Sequence, residues 1–160
     1  VKLQRYFFGL GFTLFLSAGG WPVSAADQAI RRAPETVSVE LKEGSVTPDK
    51  ASISNAGKVT FKVKNTGTVA HEMVILKTDL PADALIVGEG KVKEEAVGKV
   101  IGEIEEFPPN AEKEITLDLS AGRYVLFCNV VESGQTEGHY QKGMRAAFTV
   151  GSVSRRKKSS

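Results

Sequence analysis

The 160-residue chain predicts an all-β fold, a sandwich of two antiparallel sheets. Three observations carry that expectation: apolar residues recur at period two in several short segments, turn chemistry separates those segments at short intervals, and two further segments are almost continuously apolar. At this length the chain has room for a single domain with a proper core.

The strands follow in order. In TVSVELK, Val37, Val39 and Leu41 share one face, and in KVTFKVK, Val59, Phe61 and Val63 do the same. EITLDL repeats the pattern with Ile115, Leu117 and Leu119, and AAFTV with Ala146, Phe148 and Val150. Lysines, threonines and acids occupy the alternate positions, as expected for strands wet on one side. HEMVILK (71–77) and RYVLFC (123–128) lack that alternation and read as strands covered on both faces. Turn residues stand between them: Thr47-Pro48-Asp49, Asn55-Ala56-Gly57, Asn65-Thr66-Gly67, Pro108-Pro109-Asn110 and Ala121-Gly122. The segment 80–106 departs from the pattern. It is charged and interrupted by Gly88, Gly90, Gly98 and Gly102, and reads as a partly irregular insertion with at most one or two short helical turns.

The flanks read differently. Residues 1–26 combine Lys2 and Arg5, an apolar stretch from Tyr6 to Leu16, and an end of small residues through Ala25-Ala26. That is the pattern of a secretory signal peptide, and the apolar stretch is well short of the ~20 residues that span a bilayer. Residues 27–35 form a polar lead-in, 36–150 the domain, and 151–160 a basic tail with Arg155, Arg156, Lys157 and Lys158. The domain itself carries 13 basic and 17 acidic residues, a balance that gives no reason to expect nucleic acid as a partner. The expected location is periplasmic or secreted.

Export sharpens the reading of Cys128, which is the one cysteine and so has no disulfide partner within the chain. The chain holds only two histidines, His71 at the head of an apolar strand and His139 in the loop after Cys128, with Met144 five residues further on. Two His, one Cys and one Met are the donor set of a mononuclear electron-transfer copper site, a trigonal His₂Cys plane with a weak, long axial Met. Taken singly, each residue has an ordinary role: a strand histidine, a small buried hydrophobe, a core methionine. Taken together, in this order and at strand–loop junctions, they point to one copper ion. Zinc sites favour Cys and His without Met, and calcium or magnesium requires clustered oxygens. Met73, which shares a strand face with His71, reads as core, and Glu132 and Glu137 as solvated loop charges.

These residues carry a resemblance. From about Thr36 to Val150 the chain is similar to the cupredoxins of the plastocyanin/azurin group, the small blue copper proteins. The sharpest parts are Asn65-x-Gly67 ahead of His71, and Gly122-x-Tyr124-x-x-x-Cys128 leading to Gly138-His139 and Gly143-Met144. The resemblance implies a Greek-key β-sandwich, a type 1 copper ion with His71, Cys128 and His139 as equatorial ligands and Met144 axial, and one-electron shuttling between redox protein partners. With both histidines claimed by one site, a monomeric carrier rather than an enzyme is expected, and no stable membrane insertion is expected once 1–26 is removed. A copper carrier or chaperone that hands on Cu(I) is the alternative, supported by the His71-x-Met73 spacing. Two departures stand out. Ten residues separate Cys128 from His139, more than in familiar members, and the excess, Val131–Glu137, is polar enough to bulge into solvent. Glu72 stands where many members have an Asn that links loops near the thiolate, so a weakened link or a lowered potential is expected there.

Overall fold

The computed structural model describes residues 33–152. The expected signal peptide and most of the lead-in and basic tail lie outside the described residues.

Among the described residues the fold has eleven strands and one helical turn. The strands are β1 (Glu35–Lys42), β2 (Ser45–Pro48), β3 (Ser52–Ile53), β4 (Gly57–Asn65), β5 (His71–Lys77), β6 (Val87–Gly88) and β7 (Lys91–Val92), followed by α1 (Glu94–Val97) and then β8 (Lys99–Phe107), β9 (Glu112–Leu119), β10 (Gly122–Phe127) and β11 (Arg145–Val150). One sheet has the order β2-β1-β4-β9 and the other β3-β11-β10-β5-β8, with β6 and β7 forming a separate ribbon. The period-two segments form strands as their pattern requires. Val37, Val39 and Leu41 of β1 and Val59, Phe61 and Val63 of β4 are buried, while the residues between them face outward or lie at the margin. Across the sandwich, Phe61 meets Phe148 edge to face, with ring centroids 5.6 Å apart.

The sheets are mixed rather than purely antiparallel. β1 pairs with β4 in parallel, as does β11 with β3. The cause is a double crossing: after β2 the chain passes to the opposite sheet as β3, then returns as β4 beside β1 in the same direction. A second correction concerns 80–106. Its helical content is one turn, α1, but its last part is the nine-residue strand β8 on the edge of the five-stranded sheet. Pairing with β5 shifts register twice, between His71 and Met73 and between Ile75 and Leu76. Each shift resets which residues face inward, so only Ile104 and Phe107 of β8 are fully buried and no alternation is visible. Gly102 gives the strand room, since a Cβ there would stand 2.7 Å from both Leu117 methyl carbons.

The two apolar runs are covered on both faces, as expected. The inner side of β5 and β10 faces the sandwich core, with Met73, Ile75, Tyr124 and Leu126 in the main apolar cluster. The outer side packs Val74, Leu76, Val125 and Phe127 against Leu85, Val92, Val97 and Tyr140. The segment before β8 is therefore a third layer over the sheet that carries the site. Among the described residues, no helix is long and apolar enough to cross a membrane.

Candidate metal centre

Strand register brings the distant residues together. In the antiparallel pair β5–β10, Phe127 lies opposite Val74, which sets the chain after Phe127 beside the start of β5 at His71. In the pair β10–β11, Phe127 lies opposite Arg145, and one step further the N–H of Cys128 donates to the carbonyl of Met144 at 3.1 Å. The N–H of Met144 in turn donates to the carbonyl of His139 at 3.0 Å. Just before it, Gly143 takes φ +106°, a conformation that suits glycine, and any Cβ there would meet the Gly44 carbonyl at 2.8 Å. The return from His139 to β11 is thus fixed by main-chain contacts.

His71, Cys128 and His139 form one cluster, all three buried. Nδ1 of His71 lies 3.1 Å from Nδ1 of His139, and Sγ of Cys128 lies 3.3 Å from the latter and 4.0 Å from the former. The rings meet edge to face with centroids 4.9 Å apart. Met144 is fully buried in the same core, tied by main-chain bonds to both Cys128 and His139.

The donor set fits a metal. First-row ions sit about 2.0–2.3 Å from imidazole nitrogen and thiolate sulfur, so donors sharing one ion lie roughly 3–4 Å apart, as these do. Burial, the main cause for both rings, holds each histidine below its ordinary value, and the two also oppose each other's charge at His71. Both are therefore neutral at pH 7, and two nitrogen atoms face each other at 3.1 Å with a thiol beside them. Such a pair needs a proton or a cation between its lone pairs. Nε2 of His71, on the other side of its ring, is buried without a hydrogen-bond partner.

The surroundings contain residues whose tasks beside the cluster the sequence did not assign. Asn65 is fully buried and organises the loop before His71: its amide donates to the carbonyls of Val69 and Phe107, and its oxygen accepts from the Gly67 N–H. The Asn65-x-Gly67 pattern was the visible signal for it. Asn129, next to Cys128, exchanges hydrogen bonds with the main chain of Val92 and donates to Glu94. Tyr140, next to His139, accepts from the Leu85 N–H and donates to the Ala82 carbonyl. Both knit the site to the outer layer. Their only sequence signal is adjacency to a donor.

Glu72 does not weaken the link between loops; it makes one. Its carboxylate accepts from the Asn129 N–H at 2.8 Å, and its own N–H points to Cys128 Sγ at 3.5 Å. Burial pushes its carboxyl up to about 7. The extra loop behaves only partly as expected. Residues 133–137 are exposed, but Glu132 folds back to within 3.8 Å of His139 Nε2 and is not simply solvated.

Comparison with known proteins agrees with this fold. A family profile described as a cupredoxin-like domain matches residues 12–139. Among solved structures, a dithionite-reduced auracyanin from the photosynthetic bacterium Roseiflexus castenholzii is 22% identical, with TM-score 0.52 over 74% of this chain and 98% of that one. Reduced rusticyanin is 19% identical, with TM-score 0.50 over 74% of this chain and 81% of that one. At these identities the likeness establishes the fold. No curated protein gives a significant match.

Proposed function

The chain belongs to the cupredoxin-like family, and on that premise we propose that it is an exported type 1 copper protein carrying single electrons between redox protein partners. The observation that carries the reading is the buried convergence of two imidazole Nδ1 atoms and one thiol. His71, Cys128 and His139 would hold the ion, with Met144 as a further, weaker donor. Copper bound there supplies a one-electron couple, for which imidazole suits Cu(II) and the sulfur donors suit Cu(I).

The chain's own residues do the rest. Neutral imidazoles present their lone pairs without first losing a proton. The Glu72 N–H, aimed at Cys128 Sγ, favours the thiolate over the thiol. Main-chain bonds from Cys128 to Met144 and from Met144 to His139 hold the donors in one arrangement in either oxidation state, which keeps reorganisation small. His139, 4% exposed against 0% for His71, offers the edge nearer a partner. With both histidines in one cluster, none remains for a second copper, and the reading is a carrier rather than an enzyme. The pattern of residues 1–26 supports export.

Hand-off of Cu(I) finds less support. Met73, the residue that suggested it, packs among apolar side chains of the core, and the donors are enclosed. Voltammetry of the copper-loaded protein with a Cu(I) chelator present separates the two. A reversible one-electron wave that persists for hours supports the carrier. Rapid loss of copper to the chelator would replace it with hand-off.

A further inference from the structure

Each imidazole of the cluster has a glutamate behind it. Because His71 turns Nδ1 toward the thiol, its Nε2 faces the other way, buried and without a hydrogen-bond partner. Oε1 of Glu43 lies 3.9 Å from that nitrogen. The carboxylate is pinned there: the same oxygen accepts from the N–H groups of Thr68 and Val69 and from the Thr68 hydroxyl, all in the loop that leads into β5. Gly67 keeps the space between them open, since a Cβ on it would stand 2.8 Å from both His71 Nε2 and Glu43 Oε1. On the other ring, Oε2 of Glu132 lies 3.8 Å from His139 Nε2, and the Lys142 ammonium stands 3.5 Å from that oxygen. Glu43 comes from the turn between β1 and β2, and Glu132 from the extra loop after Cys128. Two unrelated elements thus build the same arrangement.

We propose that Glu43 and Glu132 are positioning residues, each drawing its ring proton to Nε2, keeping Nδ1 free for the metal, and favouring Cu(II) over Cu(I) by its negative charge. Metal-binding histidines commonly direct their second ring nitrogen at such an acceptor, which fixes the tautomer and makes the ring a stronger donor. The separations exceed a hydrogen bond, so the interaction is one of charge with the N–H dipole. The extra residues between Cys128 and His139 then have a task, which is to carry Glu132 back over the ring. This rests on the copper reading given above.

Glu43→Gln and Glu132→Gln keep shape and an acceptor oxygen while removing charge. Asp118→Asn, in the surface pair with Lys58, controls for net charge. The measurements are Cu(II) and Cu(I) affinities, the reduction potential, and the ring ¹⁵N signals of the protein loaded with Zn²⁺. Each glutamate variant is expected to lower the ratio of Cu(II) to Cu(I) affinity about tenfold, a rise of about 59 mV for one electron. Each should also shift the ¹⁵N signal of its own ring and not the other. Gly67→Ala, which fills the gap without changing charge, should shift the His71 signal alone. Potentials matching that of Asp118→Asn, with ring signals unmoved in a copper-binding protein, would overturn the proposal. A parent chain that takes up no copper would overturn the copper reading itself, a separate result.

Discussion

Cys128 is pulled two ways. Burial disfavours its thiolate, while the N–H groups of Glu72 and Val130 favour it, and burial wins, pushing the thiol up to about 11. Metal ligation requires the thiolate. Copper uptake at pH 7 should therefore release close to one proton per ion, measured by titration in weak buffer, and Cys128→Ser should release none. Absence of proton release from the parent would mean that the thiol is not a ligand. The same shift has a consequence for the metal-free fold. Its folded value lies above the unfolded one of 9.0, so this contribution to stability is complete below pH 9 and is lost as pH rises through about 11. The gathering of His71, Cys128 and His139 was legible in the sequence because these residue types are scarce: two histidines and one cysteine leave few ways to build a site. Glu43 was not legible. It is one of many acids, and its value lies in a turn that ends beside a loop 25 residues away.

Among the elements, the outer layer over β5 and β10 matters most to the site. Tyr140 joins the His139 loop to residues 82–85 through its hydroxyl, and its ring packs edge to face on Phe127 with centroids 5.7 Å apart. Tyr140→Phe keeps the ring but leaves the Leu85 N–H without its acceptor in a buried position, which should cost about 1–3 kcal/mol. A lower Tm, with faster amide exchange at Leu85, is the expected result; an unchanged Tm would mean that the layer is not fastened there. Strands with clean alternation, β1 and β4, were readable because one face is wet. β8 was hidden for a physical reason: two register shifts against β5 break its period, and Glu103, Glu105 and Glu106 stand on an exposed edge where charge discourages pairing with another chain. The parallel pairings β1–β4 and β3–β11 depend on crossings between sheets, which no local pattern records.

At the scale of the whole molecule, the sandwich works as a frame. Its main core holds Cys128 and Met144 among the apolar side chains, so the donors are set by the same packing that holds the fold. A frame that binds its donors this firmly suits a site that changes charge without changing shape. The central claim is that this frame makes a type 1 copper centre, and its most direct test is the visible spectrum of the Cu(II)-loaded protein through one cycle of ascorbate reduction and reoxidation. An intense thiolate-to-copper band that bleaches, returns, and is missing from Cys128→Ser is the predicted result. A copper-loaded protein with no such band, or a band that survives Cys128→Ser, would contradict it.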